Sequence, residues 1–278
     1  MNSQKAVSSR AVASGSVYGA PCWVSLTTCD LSAAEKFYTA VLGWEWRTGK
    51  LGDQYRFASV GGVPVAGVSA VAAMQPKAFA WTPYFATADA DETVSRSQER
   101  GGTTAVGPLS FPPGRAALLA DRDGAVFGIW EGELVSRWEE WRRAAPVFVE
   151  LHTRDAFDAA IFYAEVLSWA SDTKDCCEVH YENEKVILRS RGDVVAHIHS
   201  GAVDSARDPS MRPRWQIHFA VTDVHACIEA ALGHGGGLVR EVSDVGEAIL
   251  SDPEGARFVV NAREQFSPRS RGNGLGIH

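Results

Sequence analysis

Five ionisable side chains in the carboxyl-terminal half fall at alternating positions of three apolar segments. The segments are PVFVELHT (146–153), DVVAHIHS (193–200) and WQIHFAV (215–221). Alternation with a period of two marks a β-strand, whose successive side chains face opposite ways. Val147, Val149 and Leu151 make the core face of the first strand, which turns Phe148, Glu150 and His152 to the other side. His197 and His199 share a face with Val195 on the second strand. On the third, Trp215, Ile217 and Phe219 are the apolar set, so Gln216 and His218 face away from the core. Glu150, His152, His197, His199 and His218 are therefore expected to converge in one concavity. A carboxylate among imidazoles supports two chemistries. In one, Glu150, His197 and His218 form a facial set of two imidazoles and a carboxylate for divalent iron, manganese, zinc or nickel. In the other, the cluster moves protons without a metal, with Glu150 or an imidazole as general base near neutral pH. Phe148 and Trp215 are expected to line the site with an apolar, desolvating wall, and His152, His199 and Gln216 to contact the ligand. A third reading is an unreactive polar pocket, because buried imidazoles are ordinarily satisfied by hydrogen bonds. His180, His225 and His234 read as surface residues.

The elements that must position these residues emerge from an internal repeat. DLSAAEKFYTAVLGW (30–44) returns as DAFDAAIFYAEVLSW (155–169), with Asp, Phe, Tyr, Val, Leu and Trp at one constant offset. WTPYFATADAD (81–91) returns as WQIHFAVTDVH (215–225), Gly101-Gly102 as Gly235-Gly236, and DRDGAVFGI (121–129) as DPEGARFVV (252–260). These matches, all in one order, mean two homologous halves, placed at 19–131 and 146–264. The stretch between them, 132–145, carries charge and tryptophan at helical spacing and predicts a linker helix. Residues 1–18 and 265–278 read as disordered tails. Each half reads strand, helix, three strands, twice over. The first helix is expected to open on a capping box at Ser32 and Glu35 and to end at Gly43.

These residues resemble the vicinal oxygen chelate superfamily, the glyoxalase/bleomycin-resistance/dioxygenase group. The resemblance is carried by Asp30, Phe37-Tyr38, Leu42-Gly43-Trp44, Gly101-Gly102 and Asp121-Arg122-Asp123-Gly124, and by their counterparts in the second half. It looks closest to two-domain actinobacterial proteins labelled glyoxalase or hydroxylase. It implies an α+β fold of four βαβββ modules, paired into two half-barrels with helices outside and a cleft inside each. Metal ligands in such proteins sit on four strands, at positions that correspond to Trp23, Gly67, Thr82 and Gly128 in the first half and Phe148, His197, Gln216 and Val259 in the second. The first set holds no donor set for a metal, so none is expected there. The second keeps one good ligand, His197. Glu150 and His218 lie two residues past family positions, so a site moved one pleat along the strands, about 6.6–6.8 Å, is self-consistent. Glyoxalase I activity is not expected from this set. The resemblance leans instead to a lyase, isomerase or oxygenase type of enzyme. The alternative is a protein that sequesters a drug or metabolite without turnover. For that reading the first cleft offers Trp23, Tyr84, Phe57 and Trp81 as aromatic walls, although Phe57 and Trp81 read better as core.

Composition bounds the partners. The 278 residues carry a formal charge of −7, which argues against a dedicated nucleic-acid surface. Five cysteines without a C-x-x-C pair give neither a disulfide framework nor a structural zinc knuckle. No apolar run approaches the roughly 20 residues of a membrane helix, and the amino terminus lacks a signal-peptide core. A cytoplasmic monomer or homodimer with a small-molecule ligand or substrate is expected, without nucleic acid or membrane.

Overall fold

The computed structural model describes residues 18–48, 52–70, 80–111, 114–134, 147–169, 177–182, 185–190, 192–207, 211–242 and 246–262. The expected tails, apart from Tyr18, and the expected linker helix beyond residue 134 lie outside them. The first module runs β1 (Pro21–Thr28), α1 (Leu31–Leu42), β2 (Glu45–Thr48), β3 (Tyr55–Val60) and β4 (Val63–Ala70). The second runs β5 (Trp81–Ala86), α2 (Ala90–Glu99), β6 (Thr103–Phe111), β7 (Gly114–Ala120) and β8 (Val126–Gly132). The third is β9 (Val147–His152), α3 (Ala156–Val166), β10 (Glu178–Glu182), β11 (Lys185–Ser190) and β12 (Asp193–His199). The fourth is β13 (Arg214–Val221), α4 (Val224–Gly233), β14 (Gly237–Val242), β15 (Glu247–Ser251) and β16 (Arg257–Ala262).

Two eight-stranded mixed sheets result, ordered β2-β3-β4-β1-β5-β8-β7-β6 and β10-β11-β12-β9-β13-β16-β15-β14. Neither closes into a barrel. In each, the opening strands of two modules pair antiparallel at the centre, and each also pairs in parallel with the last strand of its own module. The α+β class and the four βαβββ modules are as the sequence predicts.

Each described helix starts behind an aspartate. Asp30, Asp89, Asp155 and Asp223 are extended in backbone and accept from the amides of Ala33, Glu92, Phe157 with Asp158, and Ala226. The expected capping box is thereby corrected. Ser32 already lies inside the first turn, and the residue that is extended, and so able to cap, is Asp30. Gly43 ends α1 at φ 66°, the left-handed conformation that favours glycine.

One apolar core runs through both halves. Helix α1 packs on α4 and α2 on α3. Two reciprocal hydrogen-bond chains cross between the halves. Tyr38 Oη donates to Asp252 Oδ2 at 3.0 Å and accepts from Trp81 Nε1 at 3.0 Å. Tyr163 Oη donates to Asp121 Oδ2 at 2.9 Å and accepts from Trp215 Nε1 at 2.9 Å. The other oxygen of each aspartate holds its turn, Asp121 Oδ1 taking the amides of Asp123 and Ala125, and Asp252 Oδ1 those of Glu254 and Ala256. Trp81 and Trp215 are only 4% and 6% exposed on this core face. They are therefore not cleft walls, which corrects the expectation for Trp215 and agrees with the core reading of Trp81: strand phase commits both indoles to the helix side, where a tyrosine hydroxyl satisfies each N–H.

Tyr163→Phe is expected to cost about 1–3 kcal/mol, because it leaves a buried carboxylate oxygen and a buried indole N–H without their partner. Urea denaturation measures this. A loss below a few tenths would mean that the interhalf bond contributes nothing.

Candidate functional site

The site is built on the centre of the second sheet. β9 lies between β12, parallel, and β13, antiparallel. The register sets His197 and Gln216 beside Glu150 on its two flanks, His199 and Arg214 beside His152, and His218 beside Phe148. The core-facing partners Val149 and Leu151 are only 2% and 0% exposed, so the alternation read from the sequence holds.

Glu150 is the hub. Its Oε1 lies 3.4 Å from His197 Nδ1 and 3.8 Å from His199 Nε2; its Oε2 lies 3.2 Å from His218 Nε2 and 3.8 Å from His152 Nε2. All five ionisable residues expected from the sequence are brought together. The side chains of His197, His218 and Glu150 are 3%, 1% and 12% exposed, whereas those of His152 and His199 are 30% and 31% exposed. The cluster thus has a closed floor and one open side. Phe148 lies edge-on to His197, ring centroids 4.9 Å apart, and 6.2 Å from His218. On the open side the His152 and His199 rings stack at 5.5 Å.

Burial alone would raise the Glu150 carboxyl. The surrounding imidazoles, His218 foremost and then His197 and His199, override it and hold the group well below the usual carboxylate range. Burial, followed by the positive charge of Arg214, pushes the His152 imidazole down to about 4, so this ring is neutral at pH 7.

Glu150, His197 and His199 each bring one donor atom within 4.8 Å of the others. The sequence expectation names His218 in that set in place of His199; both imidazoles lie at the carboxylate. The side-chain nitrogens His152 Nε2 and His199 Nε2 are buried without a hydrogen-bond partner. Buried polar atoms left this way call for an explanation. Bare imidazole nitrogens 3.8 Å from a carboxylate oxygen fit a shared divalent cation.

Sequence reading missed three further members. His218 Nδ1 faces Asn261 Oδ1 at 2.9 Å, and Asn261 Nδ2 donates to Glu247 Oε2 at 2.9 Å. Arg214 Nη2 donates to Gln216 Oε1 at 2.8 Å. A signal for Asn261 existed. The two-residue step that relates Glu150 and His218 to family ligand positions, applied on all four strands, lands on Glu150, His199, His218 and Asn261. Glu247 and Arg214 carry no such mark.

In the first half the same step lands on Ser25, Ser69, Tyr84 and Trp130, none of them a good metal donor. The space is filled as well. A Cβ on Gly67 would lie 1.8 Å from Tyr55 Oη, and one on Gly128 would lie 2.3 Å from the Tyr84 ring. Trp23 Nε1 donates to Tyr55 Oη at 3.0 Å, and Phe57 packs against both rings. Trp23 and Tyr84 do belong to this cleft, but as part of an aromatic plug rather than as walls of an open pocket.

Paired βαβββ modules whose mixed sheets present a carboxylate-imidazole cluster define a two-domain protein of the vicinal oxygen chelate type. Residues 22–129 match the Glyoxalase/Bleomycin resistance protein/Dioxygenase superfamily, and residues 147–261 match the Glyoxalase-like domain. The chain belongs to this superfamily. It is 31% identical over 284 residues to the anthracycline biosynthesis protein DauV of Streptomyces sp. (strain C5), covering 91% of this chain and 97% of that one. It is 28% identical over 253 residues to CFP32 of Mycobacterium tuberculosis (strain CDC 1551 / Oshkosh), covering 87% and 94%. Among solved structures, the Mn(II)-bound glyoxalase from Novosphingobium aromaticivorans superimposes with a TM-score of 0.54 at 15% identity, covering 89% of this chain and 83% of that one. Among the described residues, no helix is long and apolar enough to cross a membrane.

Proposed function

We propose that the second half is a divalent-metal centre acting on a small aromatic metabolite that bears oxygen donors, and that the first half is a scaffold without metal. The observation that carries this reading is the convergence of Glu150, His197 and His199, with the His199 ring nitrogen aimed at the carboxylate and lacking a hydrogen bond. The donor set, imidazole with carboxylate, suits iron, manganese, zinc or nickel. A bound cation supplies Lewis-acid polarisation of a ligand oxygen and lowers the pKa of what it holds. The chain's own residues do the rest. Phe148 screens the floor from water beside His197. His152, neutral at pH 7 and partly open to solvent, flanks the side by which substrate would enter. An aromatic substrate class is supported by the 31% identity to a protein named for anthracycline biosynthesis.

The test is elemental analysis of protein purified without chelator. About one equivalent of metal per chain is expected, lost on dialysis against a strong chelator and restored by back-titration. Turnover with no bound metal would transfer the chemistry to Glu150 and the imidazoles as acid and base. Ligand binding that survives Glu150→Gln together with His218→Ala, without turnover, would make the protein a sequestering one.

A further inference from the structure

His218 is held from both ring nitrogens, and the two holds agree. On one side the Asn261 amide donates through Nδ2 to Glu247 Oε2, so its carbonyl oxygen is what faces His218 Nδ1 at 2.9 Å. A carbonyl oxygen only accepts, which places the ring proton on Nδ1. On the other side the Gln216 carbonyl accepts from Arg214 Nη2, so the amide nitrogen is what faces His218 Nε2 at 3.4 Å. An amide NH2 only donates, which leaves Nε2 as the acceptor. Both chains therefore specify one neutral tautomer, with its lone pair on Nε2. That lone pair lies 3.2 Å from Glu150 Oε2, a second acceptor, on a side chain only 1% exposed. Two acceptors facing each other in a buried site are stabilised by a cation between them.

We infer that His218 is a fourth protein donor to the metal centre, and that Asn261 with Glu247, and Gln216 with Arg214, are positioning residues that fix its Nε2 as the donor atom. This rests on the metal-centre reading above. The arrangement follows a general rule for ligating histidines, whose second ring nitrogen donates to an oxygen that is itself held in place. It is built on rigid elements. Asn261 and Glu247 are direct cross-strand partners on β16 and β15, and Arg214 and Gln216 lie two apart on one face of β13. Gln216 stands at a family ligand position, so this chain has turned that position from holding metal to orienting the imidazole that does.

Histidine-selective 15N labelling of the full chain tests the tautomer before any metal is added. Long-range 1H–15N spectra should show His218 protonated on Nδ1 and bare on Nε2. A proton on Nε2, alone or in an imidazolium, overturns the inference whatever the metal result. Addition of 113Cd2+ should then split the Nε2 signal of His218 along with signals of His197 and His199. Splitting confined to the other imidazoles overturns the fourth donor and leaves the metal centre standing. Absence of cadmium binding at every imidazole overturns both. Asn261→Leu should weaken cadmium binding by about ten- to hundredfold, whereas Glu247→Gln, which keeps an acceptor for the Asn261 amide, should stay within a few-fold of the parent. Unchanged affinity in Asn261→Leu would remove its positioning role.

Discussion

Glu150→Gln is expected to abolish the proposed metal binding of the second half while leaving the fold in place. The carboxylate is the one anion among four imidazoles at 3.2–3.8 Å. Its folded-state pKa is lowered, so its stabilising contribution is complete above the ordinary carboxylate range and is lost only as pH falls through the lowered value. A divalent cation therefore meets a full negative charge throughout the neutral range. Glutamine keeps the shape and removes that charge. The loss in affinity should exceed the roughly hundredfold upper figure for removing a residue that only orients a ligand. Stability should fall by about 1–3 kcal/mol, since His197 Nδ1 loses its carboxylate partner while the imidazoles can remain neutral. Metal content and a denaturation curve on the same sample separate the two effects. Stoichiometric metal retained in the glutamine variant would place the centre elsewhere.

Gly67→His restores a family ligand to the first half and is expected to yield no metal site there. The new Cβ would sit 1.8 Å from Tyr55 Oη and 2.9 Å from Trp23 Nε1, so the plug must be displaced before an imidazole can enter. Such overpacking costs about 1–3 kcal/mol. Tyr55→Ala in the same chain should recover much of it, and the two changes should couple by about 0.5–3 kcal/mol in a double-mutant cycle. Denaturant midpoints for the four proteins give the result. A Gly67→His protein as stable as its parent would show that the first cleft is open, and would revive it as a pocket.

The modules and the strand faces were legible because each rests on a local rule. Repetition of Asp30 to Trp44 at 155–169 gave the halves, and alternation in PVFVELHT put Glu150 opposite Val149. Convergence of the five ionisable residues followed from phase alone, since neighbouring strands in register carry like faces together. What escaped depends on distance across the sheet. Asn261 and Glu247 matter through amide orientation, which no spacing encodes. Tyr55 blocks the first cleft because glycine at 67 leaves room for its ring, a pairing visible only once β3 lies beside β4. Trp215 misled because an indole suits a cleft wall and a core equally; its N–H partner, Tyr163, belongs to another module.

The crossed Tyr38–Asp252 and Tyr163–Asp121 bonds have an evolutionary corollary. Each half completes its neighbour's interior, as twin subunits would, within a single polypeptide. Joined copies are free to diverge: one can surrender every reactive group and still be indispensable, because its sibling would unravel without it. Selection then preserves the first half for its shape, and severing the chain at its midpoint is expected to unfold the second half too.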